Sequence, residues 1–327
     1  MRVILWLGLA LGVLWGGYWF VGSSAIRTSA AQWFEATAAP GLVAANAGLS
    51  VAGFPSRFDL TVTRPHLSDP VTGWGWQAPF AQIMAMTWKP WHVIAILPQE
   101  QEIDGPGQRI ALTSSKMAAS LRLAPATDLT FEELVVEGHD LTARSDLGWQ
   151  VGAGSAVLAL RRDAAMPFGQ HLGLEARDLR PDPALASRLP DLGAVIKTVH
   201  LDATLTLTAA LDRHVARTAP TITGMNLRAF RLNWGTLLLS AQGRLEPGAD
   251  GRVTGKIDIR IEDWRQIPAL LVALDLVRPE MGKSLTDGLE TLALAGEDPD
   301  VLNLALIFAD GWTTLGPIPL GPAPMLN

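Results

Sequence analysis

Apolar and polar residues alternate one by one along much of this chain, and the clearest such run organises the reading of the rest. Val253, Ile257, Ile259 and Ile261 interleave with Arg252, Thr254, Lys256, Asp258, Arg260 and Glu262, and Gly255 fills the one gap on the apolar side. Upstream, Phe230, Leu232 and Trp234 alternate with Arg231 and Asn233. Period two over this length predicts strands with one apolar and one wet face. Between the two runs, Glu246-Pro247-Gly248-Ala249-Asp250-Gly251 carries Pro-Gly and Asp-Gly turn chemistry. The stretch from 227 to 262 therefore reads as one long β-hairpin with arms at 228–234 and 252–262.

The same pattern recurs through the chain. Residues 57–62 alternate cleanly, and Trp74 and Trp76 share a face. Strands are expected at 93–97, 109–123, 134–144, 149–162 and 170–179. Val199, Leu201, Ala203, Leu205 and Leu207 mark another, and 302–309 is the last. Strands at short spacing without interleaved helices predict a mainly β, antiparallel body. A helical island interrupts it at 263–296. It starts near Asp263-Trp264 or at Pro268, is broken at Arg278-Pro279, and carries a stripe of Met281, Leu285, Leu289 and Leu292. Such helices serve as a cap on an open sheet.

The N-terminus departs from this pattern. Arg2 is followed by uncharged, mostly apolar residues from Val3 to Val21, roughly 28 Å at helical rise and close to a bilayer core. Trp15, Tyr18 and Trp19 crowd its far end, as at a membrane–water interface. The competing reading is a signal peptide cleaved near Ser23-Ser24-Ala25, but signal cores run only about 7–15 residues. Residues 1–25 are expected to be a single-pass anchor with its N-terminus in the cytoplasm. Residues 26–327 form one extracytoplasmic body, its first helix near 29–39 continuing from the anchor.

Composition narrows the chemistry. The chain has 0 cysteines, so disulfides, thiolate metal sites and cysteine nucleophiles are excluded. Beyond residue 22, 25 basic residues face 32 acidic ones, a net charge of −7. An acidic body without a basic run is no nucleic-acid binder. His66, His92, His139, His171, His200 and His214 are scattered without zinc-helix spacing. Gly282-Lys283-Ser284 lacks the upstream glycine of a phosphate loop, and no G-x-S-x-G string occurs. Glu297, Asp298 and Asp300 lack the alternation of a calcium loop. Glu132-Glu133, adjacent in a strand, point to opposite faces. No catalytic residue, metal site or cofactor is expected. Trp74, Trp76, Trp88 and Trp91 fit core packing, a bilayer-facing platform or glycan stacking.

Three strings carry a resemblance. Val51-Ala52-Gly53-Phe54-Pro55-Ser56-Arg57-Phe58-Asp59-Leu60, Trp88-Lys89-Pro90-Trp91-His92-Val93-Ile94-Ala95 and the proline-rich run 315–324 resemble an uncharacterised bacterial envelope family, the domain of unknown function 2125, over essentially the whole chain. The central hairpin followed by Asp263-Trp264 is similar to segments of AsmA-type envelope proteins. That second likeness implies an N-terminal anchor and a long β-groove concerned with lipid traffic. Neither resemblance supplies catalytic residues.

The expected protein is an inner-membrane, single-pass protein with a periplasmic, elongated, AsmA-like β-groove. Phe230, Leu232, Trp234, Val253, Ile257 and Ile259 are its candidate lipid-facing residues. Its expected partner is membrane lipid, its role non-enzymatic lipid handling or envelope biogenesis. The alternative is a β-sandwich scaffold for another envelope protein.

Overall fold

The computed structural model describes residues 2–35, 42–215, 219–316 and 318–325. Its contacts divide the chain into two compact units, Met1–Trp149 and Gln150–Asn327. Both are mainly antiparallel β, as the alternation predicts.

The first unit opens with one helix, α1 (Arg2–Glu35), so the expected anchor and the helix expected near 29–39 are one element as far as Glu35, 36–39 lying outside the described residues. Eleven strands follow: β1 (Val43–Ala45), β2 (Gly48–Ala52), β3 (Arg57–Thr63), β4 (His66–Asp69), β5 (Trp74–Gln77), β6 (Phe80–Met86), β7 (Lys89–Leu97), β8 (Glu100–Gly105), β9 (Gln108–Thr113), β10 (Lys116–Leu123) and β11 (Phe131–Ser145). Their pairing is simpler than their number. β2 pairs with β3 and β1 with β4; β3 with β6 and β4 with β5. β6 and β5 pair with β7 and β8, these with β10 and β9, and both of those with β11. The strands thus join end to end into six long ones in a meander, creased along one line. Pro65, Pro79 and Pro98 sit in that crease, where a residue without an N–H breaks a ladder. The single strand expected at 109–123 is one of these creased strands, interrupted at Ser114-Ser115.

The second unit is a straight meander in which each strand pairs with the next. It comprises β12 (Gln150–Arg162), β13 (Gly169–Leu179), β14 (Ile196–Leu207), β15 (Ile222–Trp234), β16 (Leu237–Pro247), β17 (Val253–Glu262), β18 (Val301–Ala309), β19 (Trp312–Leu315) and β20 (Ile318–Pro322). The hairpin reading needs correction here. The arm at 228–234 belongs to β15, and the true hairpin is β16–β17 around the predicted turn, where Gly251 has φ +78. β16 escaped notice because Leu237-Leu238-Leu239 breaks the alternation, and because the tight turn at Gly235-Thr236 looks unremarkable in sequence.

Three helices interrupt this meander. α2 (Pro183–Arg188) lies between β13 and β14 and was not expected. α3 (Ile267–Ala273) and α4 (Gly282–Leu294) form the predicted cap, each preceded by a short 3-10 turn. Leu285, Leu289 and Leu292 of the stripe join the core, whereas Met281 is exposed. Trp264, 1% exposed, locks the cap by donating its indole N–H to the Pro299 carbonyl at 3.0 Å. Trp234 does the same to Gly193, after α2, at 2.9 Å. A buried indole needs such an acceptor.

Candidate functional site

Two features stand out, one in each unit. The first is the seat of α1 on the β-body. A stripe of Gly16, Trp19, Gly22, Ile26, Ala30 and Phe34 faces the sheet at three- and four-residue spacing. Ile26, Ala30 and Phe34 pack around Leu60, Val62 and Ala81 with Leu49 and Val51. Below them the aromatic residues meet two strand turns. Trp15 donates to the Pro55 carbonyl at 2.9 Å, Tyr18 to Thr87 at 2.8 Å and Trp19 to Arg57 at 2.7 Å. The two turns are themselves tied, since the Thr87 N–H donates to the Ser56 carbonyl at 3.1 Å.

Trp19 is 7% exposed, stacked on Phe58 at 6.1 Å and met edge-on by Phe54 at 5.4 Å. Gly22 has no room for a side chain: a Cβ there would stand 2.7 Å from the Phe58 ring. The candidate interface residues Trp15, Tyr18 and Trp19 are therefore also the residues that hold the helix to the body. The string 51–60 that carried the family resemblance is the cradle that receives them. Trp88 sits beside it in the β6–β7 turn, exposed. Trp76 instead joins the core and donates to Gln101 Oε1 at 2.9 Å. Of the clustered tryptophans, Trp76 thus packs in the core while Trp88 is exposed.

The second feature is the apolar face of the second unit. Strand registers align one row across seven strands: Leu158, Leu174, Leu201, Phe230, Ala241, Ile259 and Leu304. The next row contains Leu160, Leu172, Ala203, Leu227, Gly243, Ile257 and Leu306. Gly243 and Gly255 are required where the strands bend together, because a Cβ on either would collide with the neighbouring strand's backbone.

Protein covers part of this face. Trp234 is buried in the cluster under α2–α4, with Leu232 and Ile259 packed against it. Val253 is buried with Leu245, Phe308 and Ala323 near the C-terminus, with Ile257 alongside. Among the six candidate residues, only Phe230 lies outside both clusters. Its neighbours Leu158, Leu160, Leu172, Leu174 and Leu201 also lie outside them, and all are half-buried or exposed. The uncovered apolar surface therefore sits on β12–β15 rather than on the β16–β17 hairpin. Sequence contained the signal in Leu158, Leu160, Leu172 and Leu174, which stand among alanine and glycine and so look weak beside the isoleucines.

The opposite face is polar. Arg228 meets Asp202 at 2.6 Å, Lys256 meets Asp258 at 2.7 Å, and a groove of about 760 Å³ runs past Arg228, Arg244 and Lys256. His171 lies there, with Nε2 3.0 Å from Asp163 and Nδ1 3.3 Å from the Thr204 hydroxyl. This has the order of a proton relay, but Arg228 also reaches Nδ1 at 3.3 Å and Thr204 is buried. A guanidinium competing for the basic nitrogen suits a structural network better than a general base. Asp300 pairs with Arg265 at 2.5 Å, and Glu133 pairs with Arg122. Among the described residues no three His, Asp or Glu side chains gather as a metal site.

α1 is long and apolar enough to cross a membrane. No curated protein matches the chain in sequence. A family described as an uncharacterised protein conserved in bacteria, DUF2125, matches residues 19–324, beginning at the buried Trp19. With nearly the whole length matched, cradle and apolar face included, the chain belongs to the DUF2125 family.

Proposed function

We propose that this is a non-enzymatic, membrane-anchored protein of the bacterial envelope whose second unit accepts a lipid acyl chain. Arg2 ahead of the apolar run favours a cytoplasmic N-terminus and a periplasmic body. The observation that carries the lipid reading is the strip Leu158, Leu160, Leu172, Leu174, Leu201 and Phe230, an apolar face continuing past the helices that cover its other part. Contiguous apolar surface of this kind marks an interaction site, and a flexible hydrocarbon chain matches a strip that offers no hydrogen-bonding groups. The polar face behind it, laced with ion pairs, faces water.

The test is native mass spectrometry of the full chain released from detergent. One phospholipid should remain bound, and Leu174→Asp or Leu201→Asp should remove it while leaving the circular dichroism spectrum intact. Lys256→Gln, on the polar face, should keep the lipid. A parent chain without lipid that instead retains a protein partner supports a scaffold. Lipid retention indifferent to Leu174 and Leu201 places the lipid elsewhere and ends this reading.

A further inference from the structure

The seat of α1 fixes how deep the body must lie. Val3 to Val21 spans roughly 28 Å of helix, and Val3 to Trp15 only roughly 19 Å. A bilayer's hydrocarbon core is roughly 30 Å thick. Yet Trp15 is hydrogen-bonded to Pro55 at 2.9 Å, so the β2–β3 turn grips the helix well inside its apolar run. If the body stopped above the membrane, about 12 residues of helix would be left to cross it, too few.

We infer that the β2–β3 and β6–β7 turns are immersed in the membrane–water interface on the body's side as a collar beside α1, with Phe54 and Trp88 inserted among the lipids. This rests on α1 being the anchor. The side chains fit the assignment. Phe54 is 56% exposed and Trp88 57% exposed, flanked by exposed Met86, Tyr18 and Phe20. An apolar ring of this kind, exposed beside a hydrophobic helix, has lipid as its natural neighbour, and tryptophan favours that depth. Arg57 and Lys89 open the strands that leave the two turns; Arg57 is paired with Asp59 at 2.8 Å, and Lys89 suits an anionic headgroup. Three backbone carbonyls at that depth, those of Pro55, Arg57 and Thr87, accept from Trp15, Trp19 and Tyr18. Unpaired carbonyls in an apolar medium are costly. The aromatic donors therefore lower the cost of immersion at these three carbonyls.

The lack of cysteine makes the test direct. Phe54→Cys, Trp88→Cys, Leu9→Cys and Val71→Cys are each made in the full chain, spin-labelled, and reconstituted in vesicles of phosphatidylglycerol and phosphatidylethanolamine. Val71, 85% exposed, lies beyond β4, toward the end of the sheet away from the two turns. Labels at 54 and 88 should favour oxygen over an aqueous nickel chelate severalfold more than the label at 71. Labels at 54 and 88 as aqueous as that at 71, with residue 9 in lipid, overturn the collar alone. A label at residue 9 that is also aqueous overturns the anchor, and the collar with it. Trp88 makes no hydrogen bond to the helix, so its variant reports depth even if the Phe54 variant disturbs the cradle.

Discussion

Trp19 and Arg57 are joined across 38 positions by one hydrogen bond, the indole N–H donating to the Arg57 carbonyl at 2.7 Å. The bond closes a buried contact between a membrane-type helix and the rim of a sheet. Trp19→Phe keeps most of the ring packing but strands the carbonyl, which should cost about 1–2 kcal/mol. Trp19→Ala also loses the ring, at about 3–5 kcal/mol. Thermal unfolding of the full chain in mild detergent should rank parent, Phe and Ala in that order. Equal stabilities would mean that the helix does not sit in the cradle.

The glycines of α1 separate the face toward the body from the open face. A Cβ at Gly22 meets the Phe58 ring at 2.7 Å, whereas one at Gly17 meets nothing within 4 Å. Gly22→Leu should therefore lift the helix and cost roughly 1–3 kcal/mol, and Gly17→Leu should be neutral. Protease sensitivity of the segment after residue 22 reads the difference. Similar behaviour of the two variants would contradict the stripe.

Much of this architecture is legible in the sequence, and the misses have physical causes. Val253 to Ile261 alternates strictly, so β17 and its facing are plain. The long apolar run, Pro268 and the leucines of α4 likewise announce the long N-terminal helix and the cap. β16 is hidden because Leu238 puts an apolar side chain on the wet face and Gly235 turns the chain within two residues. The open apolar strip is hidden because its strands use leucine among alanines, while the sharper isoleucine pattern marks residues that pack against protein. Trp15, Tyr18 and Trp19 stand out as an aromatic cluster, but nothing in their spacing tells that three backbone carbonyls await them, since those partners lie 40, 69 and 38 positions away.

Gly251 and Gly255 test the hairpin. Gly251, at φ +78, has only the tip of Met325 near its missing side chain, and Gly251→Val should cost on the order of 1–3 kcal/mol through backbone strain. Gly255, at φ +130, adds a collision with the Arg244 carbonyl. Gly255→Ala should therefore destabilise more than Gly251→Ala, despite the identical side chain. Melting temperatures in the reverse order would refute the β16–β17 register.

Asp182 ties β12 to α2. Its Oδ2 accepts from the Gln150 N–H at 2.8 Å and its Oδ1 from the Ala184 N–H at 2.8 Å. The Gln150 bond, followed by that to Ala184, holds its pKa below the ordinary aspartate value. The folded state therefore binds this proton less readily than the unfolded chain. The stabilisation is fully present above the ordinary aspartate value of about 4 and is lost as pH falls through the depressed folded value. Asp182→Asn offers one oxygen where two are used, so it should be less stable than the parent at neutral pH, and the gap should narrow in acid. A gap independent of pH would show that the ionised carboxylate is not what ties the two elements.

The central claim is that α1, membrane span included, is a built part of the folded protein, with Trp19 buried in its core. The intact mass of the protein extracted from bacterial membranes tests this most directly. The account predicts a chain that keeps residues 2–25 and leaves the membrane only with detergent. A mature chain beginning near Ile26, released without detergent and folded with its cradle empty, would contradict it.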